Sequence, residues 1–256
     1  MRYNEVKEFN KYSFVKAFSV PRDEGRWRVY SWNIEDDMHD LRYYRELGNA
    51  FEITPDDMIR TLQSHTTNIY VASDNDRGLG ITRMEPETPY DGMITNVKNL
   101  MLLTVEADCT PVYILDPVNH AIGMVHSGWR GTVANITKIA IDKMKENYGT
   151  KIEDVIIHFG PAICGNCYEV GIELIDEFKK LLTCDEIHKV FRPIPDKAEK
   201  YLLDVTLSIK LGLLKNGVKE ENITRDSICT YHDMIYHSWR REHDKAKQML
   251  TGIMLI

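Results

Sequence analysis

Cys109 and His126 are the two side chains of this sequence whose positions most favour chemistry. Cys109 lies in the run Ala107-Asp108-Cys109-Thr110-Pro111, and His126 directly follows the apolar run 121–125. A buried cysteine usually lies inside a strand as a small hydrophobic residue. Cys109 instead stands at a predicted strand end, beside a carboxylate and before a proline that interrupts strand pairing. We therefore predict that residues 107–132 build an enzyme active site.

The turn after His126 has the composition of an anion-binding loop. It reads Ser127-Gly128-Trp129-Arg130-Gly131-Thr132 and leads into a predicted helix. Gly128 and Gly131 let the backbone approach a ligand closely, and the first N–H groups of a helix attract anions. Arg130 can hold a phosphate or carboxylate through two parallel hydrogen bonds. The alternative is a surface loop with a structural ion pair, but a tryptophan beside an arginine between two glycines favours ligand contact.

His65 is a third candidate. Thr54-Pro55-Asp56-Asp57 has the composition of a helix start, and we predict a helix that runs from it to about His65. A lone histidine at that place is more often a partner of the helix dipole. Together with Cys109 and His126, however, it would give three ligands and an open fourth position, which is the pattern of a catalytic zinc site.

The pair Cys164-Gly165-Asn166-Cys167 is half of a zinc knuckle or a redox pair. No second C-x-x-C motif and no close pair of histidines completes it. Cys184 and Cys229 stand alone in the sequence. We therefore expect a structural role for these cysteines rather than metal binding.

The apolar patterns predict strands interleaved with helices. Predicted strands cover residues 28–33, 68–73, 100–105, 112–115, 121–125 and 155–159, and further helices cover 132–144, 170–181 and 204–214. The helix after residue 131 would be capped by Thr132. There is no internal repeat and no clean β-α-β alternation. We predict an α+β fold, with one domain over residues 1–256 and mixed β-sheets packed against helices.

Composition narrows the function classes. The 256 residues carry a net charge of −7 and form no basic block, so a nucleic-acid surface is not expected. Residues 1–20 scatter charges among apolar residues, unlike a signal peptide, and no apolar run has membrane-spanning length. Five cysteines are an odd number for a disulfide scaffold. We expect a cytoplasmic protein with reduced thiols and no membrane partner.

These motifs resemble the YfiH/YlmD-type purine nucleoside phosphorylases, a family formerly called laccase-domain or multicopper polyphenol oxidases. The resemblance spans nearly the whole chain. It is carried by the central blocks 107–112, 116–117 and 126–132, by the flanking blocks 91–95, 160–163, 168–171, 229–230 and 238–241, and more weakly by Ser31-Trp32-Asn33.

The resemblance implies that His65, Cys109 and His126 hold Zn²⁺ and that Arg130, with Asn33, contacts substrate. It implies phosphorolysis of adenosine, inosine and guanosine, with adenosine deaminase and S-methyl-5'-thioadenosine phosphorylase activity. The partners would be a purine nucleoside and phosphate, and the protein a monomer or small homo-oligomer. The chain departs from the family pattern at Thr66, usually Gly, at Glu106, usually small and uncharged, and at residues 246–247, usually Gly-Arg.

Several alternatives remain open at this stage. One is a Cu²⁺-dependent polyphenol oxidase, although coupled copper sites need clustered histidines and the chain has no H-x-H pair. Another is a thiol hydrolase with Cys109 as nucleophile and His126 as base, and a third is a nucleoside-binding module without turnover. Asp108 could orient a ligand or move a proton, or it could simply cap a strand end. The usual zinc deaminase signature is absent.

Overall fold

Three β-sheets form the frame of the computed structural model, which describes residues 1–22 and 41–256. The strands of these ranges are β1 (Asn4–Glu5), β2 (Val15–Val20), β3 (Met58–Arg60), β4 (Ile69–Val71), β5 (Gly92–Thr95), β6 (Met101–Glu106), β7 (Thr110–Asp116), β8 (Ala121–Ser127), β9 (Ile156–Phe159), β10 (Glu169–Gly171), β11 (Phe191–Pro193), β12 (Lys200–Leu203), β13 (Ile223–Arg225) and β14 (Met249–Leu255). The helices are α1 (Leu41–Phe51), α2 (Trp129–Val133), α3 (Ile136–Tyr148), α4 (Glu173–Phe178), α5 (Cys184–Val190), α6 (Val205–Lys215) and α7 (Trp239–Glu242).

The two larger sheets are mixed. The first has the strand order β1-β2-β14-β6-β3, and the second has the order β13-β9-β7-β8-β5-β4. Parallel pairing is confined to β3 with β6, β4 with β5 and β13 with β9, while the other pairs are antiparallel. The third sheet, β10-β12-β11, is antiparallel. The prediction of an α+β fold with mixed sheets is thereby confirmed.

Alternating side chains of the central strands fill different parts of the core. In β6, Leu102 belongs to the apolar cluster shared by the two larger sheets, whereas Leu103 packs with Leu47 of α1 on the other face. The opposite face of the second sheet packs against Ile136 of α3 and Ile209 of α6. Since both faces of these strands are covered, their sequences are continuously apolar. The apolar run 100–105 therefore predicts a strand.

The predicted helix over residues 54–65 is wrong beyond its first turn. Thr54 and Asp57 do form a capping box around a single 3-10 turn, Pro55–Asp57. The chain then enters β3, whose residues are all buried and pair in parallel with β6. Pairing with β6 and full burial of Met58 and Ile59 outweigh the local helical signal. His65 consequently lies in a loop between β3 and β4.

The helix after His126 begins earlier than predicted. Gly128, not Thr132, precedes the first turn of α2, and the Thr132 hydroxyl instead donates to the Gly128 carbonyl at 3.0 Å. Asn135 in a left-handed conformation then separates α2 from α3. The predicted helix 170–181 is also shorter, because residues 169–171 pair with β12 as β10. The helix predicted at 204–214 is confirmed as α6, with Asp204 as its cap.

The predicted strand 28–33 lies outside the described residues. The strands predicted in the central region and at 155–159 are confirmed as β6, β7, β8 and β9. Within the two described ranges, every helix is too short or too polar to cross a membrane.

Candidate metal centre and substrate cavity

His65, Cys109 and His126 meet in space although they come from three separate parts of the chain. One donor atom from each lies within 4.8 Å of the other two. The Cys109 Sγ is 3.7 Å from the His65 Nε2, and the two imidazole rings are 4.9 Å apart between centroids. Cys109 is brought there by the link from β6 to β7, and His126 by β8, which pairs with β7. One thiolate and two imidazoles form a set that suits zinc.

Asp91 is the residue that organises this trio. It is completely buried, and its Oδ1 lies 2.9 Å from the Nδ1 of His126. A carboxylate in that position fixes the imidazole so that its Nε2 faces a metal. Sequence reasoning assigned no role to Asp91. The available signal was a charged residue directly before the buried strand β5.

The same carboxylate also holds the loop of His65. The backbone N–H groups of Ser64, His65 and Thr66 all donate to Asp91, at 3.2, 2.9 and 2.6 Å. The Thr66 hydroxyl adds a further bond of 2.8 Å. His65 itself has a φ of 58°, which is uncommon for a residue other than glycine. Thr66, where the resembled family usually has glycine, therefore contributes a side-chain bond that steadies this strained turn.

Cys109 and His126 form a charged pair when no metal is bound. Burial raises the pKa of the Cys109 thiol, but the charge and hydrogen bond of His126 outweigh this effect and lower the pKa to about 6. Burial lowers the pKa of His126, but the Cys109 thiolate and Asp91 outweigh it and raise the pKa overall. Both shifts favour a thiolate on Cys109 and a proton on His126. A histidine must be neutral to bind a metal, so metal binding here releases the proton of His126.

Gly128 is required by the closeness of the trio. A Cβ built at this position would lie 2.8 Å from the Cδ2 of His65 and 3.0 Å from the Sγ of Cys109. Any other residue would therefore push against two of the three donors. This is a steric reason for the glycine, in addition to the close ligand approach that its position in the turn predicts.

The trio lies on the wall of a large open cavity. The cavity has a volume of about 1370 Å³, and the residues that line it include Trp129, Arg130, Tyr168, Trp239 and Arg240. Small-molecule sites usually combine such aromatic surface with a few convergent polar groups. Its size leaves room for a nucleoside together with a second small reactant.

Comparison with known proteins identifies the lineage of this site. Residues 30–256 match the family model described as multi-copper polyphenol oxidoreductase laccase. The chain belongs to this family. The resemblance found in the sequence motifs is therefore confirmed, and we refer to the group as the laccase-domain family.

Curated relatives of this laccase-domain protein carry the names of nucleoside enzymes. The purine nucleoside phosphorylase of Bacteroides thetaiotaomicron is 31% identical over 206 residues, which are 78% of this chain and 74% of the relative. A purine nucleoside phosphorylase of Synechocystis is 34% identical over 69% of this chain and 73% of its own. A protein named adenosine deaminase RL5, from an unknown prokaryotic organism, is 27% identical over 93% of both chains. These names support the conclusion that this chain is an enzyme of the same family.

Two solved structures share the fold of this chain. YfiH of Bacillus licheniformis superposes with a TM-score of 0.89 at 27% identity, covering 99% of this chain and 96% of the other. YlmD of Geobacillus stearothermophilus gives a TM-score of 0.83 at 23% identity over 96% and 93% of the two chains, a likeness of fold alone.

Asp108 has a position beside the cavity but a fully engaged carboxylate. It accepts hydrogen bonds from the Thr230 hydroxyl at 2.6 Å, the Ser238 hydroxyl at 3.0 Å and the Arg240 backbone N–H at 2.7 Å. Its φ of 89° is a further sign of constraint. These bonds fasten residues 230–240 to the link that carries Cys109. A catalytic role for Asp108 stays a prediction, and its positioning role is visible in the contacts.

The predicted substrate contacts are distributed unevenly. Gly128 and Arg130 line the cavity, and the Arg130 guanidinium lies 4.2 Å from the ring centroid of Trp129. Gly131 is buried, and a Cβ there would face Ile136 of α3 at 3.2 Å. Asn33 lies outside the described residues. Substrate contact by Gly131 and Asn33 stays a prediction.

Glu106 is a buried carboxylate at the end of β6. Its Oε2 accepts a hydrogen bond of 2.9 Å from the Thr251 hydroxyl, while its Oε1 has no hydrogen-bond partner among the described residues. Burial raises the pKa of Glu106 from 4.5 to about 7. The folded protein therefore holds a proton on Glu106 over a pH range in which the unfolded chain has lost it.

We expect Glu106→Gln to stabilise the metal-free protein at alkaline pH. The raised pKa means that the contribution of Glu106 to stability is complete below pH 4.5 and is lost as pH rises through 7. Glutamine keeps the shape but carries no charge, so the gain in the free energy of unfolding at pH 8 should reach about 3 kcal/mol. Urea unfolding at pH 5 and pH 8 measures it. The exposed Glu221→Gln is the control, and an equal effect of Glu106→Gln at both pH values would contradict the expectation.

A second group of side chains that could hold a metal ion lies in the described ranges. Cys164, Cys167, Cys229 and His232 place one donor atom each within 4.8 Å of one another. The expectation that nothing completes the C-x-x-C pair is therefore wrong. The missing half is Cys229 with His232, which has the same two-residue spacing but stands sixty-odd positions further along the chain.

Proposed function

We propose that the protein is a zinc-dependent purine nucleoside phosphorylase that also deaminates adenosine. The observation that carries this proposal is the position of the His65, Cys109 and His126 donors on the wall of a cavity that also presents Arg130 and Arg240. The names of the relatives support the same reaction class. Adenosine, inosine, guanosine and S-methyl-5'-thioadenosine are the substrates we propose.

The donor set fits zinc on chemical grounds. His126 has its Nδ1 occupied by Asp91, which leaves the Nε2 for a metal. The Cys109 pKa is lowered to about 6, so the thiolate that zinc requires is available near neutral pH. Three protein donors leave a coordination position open. When bound there, zinc supplies Lewis-acid chemistry, which in other enzymes activates water near neutral pH.

Phosphate is proposed to bind among the cationic side chains of the cavity. Arg130, Arg240 and Lys247 all line it. Arg240 is held in place, because its Nη1 donates to the Glu169 carbonyl at 2.6 Å and its guanidinium lies 4.8 Å from the ring centroid of Tyr168. Arg130 has no such backbone anchor among the residues that the structure describes, and its guanidinium can turn toward an anion.

The purine base is proposed to lie against the aromatic wall. Trp129, Tyr168 and Trp239 border the cavity, and Trp239 is 52% exposed. A purine ring gains stacking and dispersion energy against such side chains. The guanidiniums of Arg130 and Arg240 already lie against Trp129 and Tyr168, so the exposed Trp239 is the ring on which we propose that the base stacks.

The two reactions make different demands on this site. In phosphorolysis a phosphate oxygen forms a bond to the ribose C1′ while the bond from C1′ to the base nitrogen breaks, and the base leaves as the free purine after taking up a proton. In deamination water adds to C6 of adenosine and ammonia leaves. Arg130 and Arg240 would hold the attacking phosphate in the first reaction, and the trio would hold the zinc whose Lewis-acid chemistry serves the second.

The decisive experiment follows products in protein of known metal content. Zinc-loaded protein should convert inosine and phosphate to hypoxanthine and ribose 1-phosphate, and adenosine alone to inosine and ammonia. Absence of all products, with zinc bound, would refute the proposal. Phenol oxidation that rises with bound copper would support the oxidase named in the family description.

We expect Arg130→Ala to raise the KM for phosphate by about 10- to 100-fold, because phosphate would lose a charged partner that forms two parallel hydrogen bonds. Arg130→Lys should restore part of this loss because the charge returns without the planar fork. Steady-state kinetics at varied phosphate measure it. Arg45→Ala, on the exposed face of α1, is the control, and an unchanged KM in Arg130→Ala would move the phosphate site elsewhere.

A thiol hydrolase remains the second candidate, because Asp91, His126 and Cys109 are also arranged as an orienting carboxylate, a base and a nucleophile. His65 has no role in that reaction. Labelling of Cys109 by an ester or amide substrate in zinc-free protein would favour the hydrolase, and activity that depends on zinc would exclude it.

A further inference from the structure

The second group has four donor residues, which form two pairs with the same spacing in the sequence. Two residues separate Cys164 from Cys167, and two likewise separate Cys229 from His232. The backbone N–H of Cys167 donates to the carbonyl of Cys164 at 2.9 Å, and the N–H of His232 donates to the carbonyl of Cys229 at 3.1 Å. Each pair is thus a tight turn that directs both of its side chains to one side.

The distances between donors suit one shared ion. The Sγ atoms of Cys164 and Cys167 are 3.6 Å apart, and the Sγ of Cys167 is 3.2 Å from the Nε2 of His232. Zinc bonds of about 2.3 Å to sulfur and tetrahedral angles would give S···S separations of about 3.8 Å. The observed separation is close to this value and far longer than the bond of about 2.05 Å in a disulfide.

The surroundings match those of a metal-bound thiolate cluster. The backbone N–H of Cys164 donates to the Sγ of Cys229 at 3.3 Å. Such bonds stabilise negative charge on sulfur. Three thiolates and one neutral imidazole around Zn²⁺ leave one negative charge. Arg192 donates to the Gly165 carbonyl at 2.5 Å and to the Asn166 side chain, and so holds the two residues that separate Cys164 from Cys167.

We infer that Cys164, Cys167, Cys229 and His232 bind a second zinc ion in a closed Cys₃His site. Four protein donors fill a tetrahedral shell, which is the pattern of a structural site and differs from the open set of the first centre. Thiolate ligands favour zinc over magnesium or calcium. The ion has no coordination position for a substrate.

The second ion would join two segments that build the wall of the substrate cavity. Ala162 and Cys229 already form a parallel bridge, and the Thr230 N–H donates to the Ala162 carbonyl at 3.1 Å. Both segments contact Asp108: the Ile163 N–H donates to its carbonyl at 3.0 Å, and the Thr230 hydroxyl to its carboxylate. The ion would thus hold the wall beside Cys109 without touching substrate.

The experiment tests the second site by itself, in a protein from which two ligands of the first centre have been removed. In the double variant His65→Ala/Cys109→Ala, Co²⁺ should still bind at one ion per chain and give the intense visible bands and thiolate charge-transfer absorption of tetrahedral, sulfur-rich cobalt. Adding Cys167→Ser should weaken Co²⁺ binding by more than about 100-fold. Adding Cys184→Ser instead is the matched control, because this cysteine is exposed and outside both groups.

If the Cys167→Ser protein does not fold, X-ray absorption spectroscopy of the zinc-loaded double variant tests the ligand set instead. We expect three sulfur atoms and one nitrogen atom around the zinc. The inference is overturned if the folded double variant binds no metal, or if its zinc has mainly oxygen and nitrogen neighbours. A Cys164–Cys167 disulfide in protein purified without oxygen would also overturn it and would favour a redox pair. None of these results depends on which reaction the first centre catalyses.

Discussion

Replacing Cys109 by alanine is expected to remove zinc from the first centre and to lower phosphorolysis and deamination by at least about 10³-fold, which corresponds to about 4 kcal/mol of activation free energy. The thiolate is one of three donors, and His65 and His126 alone offer a two-nitrogen set that holds zinc weakly. Metal analysis before and after dialysis, combined with the product assay, measures both effects on the same sample.

Cys184→Ser is the control for this substitution, because Cys184 is exposed and belongs to neither group of metal donors. It should keep wild-type metal content and activity. A Cys109→Ala protein that keeps the zinc of the first centre would contradict the assignment of the trio. Loss of activity without loss of zinc would instead point to Cys109 as a nucleophile.

Replacing Asp91 by asparagine is expected to weaken zinc binding by about 10- to 100-fold and to lower the free energy of unfolding of the metal-free protein by about 3 kcal/mol. The amide keeps one acceptor oxygen, but it presents N–H groups to backbone donors of residues 64–66 and removes the charge opposite His126. The substitution therefore disturbs both His65 and His126, two of the three proposed zinc ligands. Zinc competition with a chromophoric chelator and urea unfolding measure the two losses.

Asp116→Asn is the matched control for Asp91→Asn. Asp116 is equally buried and also accepts backbone hydrogen bonds, from Val118 and Asn119, but it does so in the β7–β8 turn at the far end of the hairpin from His126. Its substitution should lower stability and leave zinc affinity unchanged. Equal zinc affinity in Asp91→Asn and wild type would show that Asp91 does not organise the metal centre.

The stability effect of Asp91 has a defined pH direction. Burial raises the pKa of this carboxyl, but hydrogen bonds from His126 and Thr66 outweigh burial and hold the pKa below its ordinary value. A depressed pKa stabilises the fold above the ordinary value of 3.8 and loses that contribution as pH falls through the folded value. Glu106 acts in the opposite sense, so these two carboxylates weaken the fold at opposite ends of the pH scale.

The two metal-binding groups meet at Asp108. Its backbone and carboxylate contact both segments of the Cys₃His group, and the next residue is a ligand of the first centre. Residues 238–241 are held by the same carboxylate and supply Trp239 and Arg240 to the cavity. A change at the Cys₃His group is therefore expected to reach the substrate wall through residues that do not themselves bind metal.

The sequence by itself determined the central hairpin and two of its three donors. The apolar runs of β6, β7 and β8 are buried on both faces, and the antiparallel pairing of β7 with β8 brings Cys109 and His126 to the same end. Local pattern suffices there because the two residues belong to neighbouring strands. The helix predicted at 204–214 was predictable for the same reason, since its start is fixed by a contact within a few residues, the bond from the Leu207 N–H to Asp204.

Only the tertiary structure decided how the distant residues join this hairpin. Residues 54–65 carry a local helix signal, but parallel pairing of β3 with β6 places His65 in a loop beside Cys109. Asp91 gains its role from donors on two other segments, and Cys229 with His232 meets Cys164 and Cys167 through a single parallel bridge at Ala162. Such contacts depend on the order of strands in the sheets and on loops that close over long sequence separations. Hydrophobic periodicity indicates only local secondary structure and burial, so it cannot predict them.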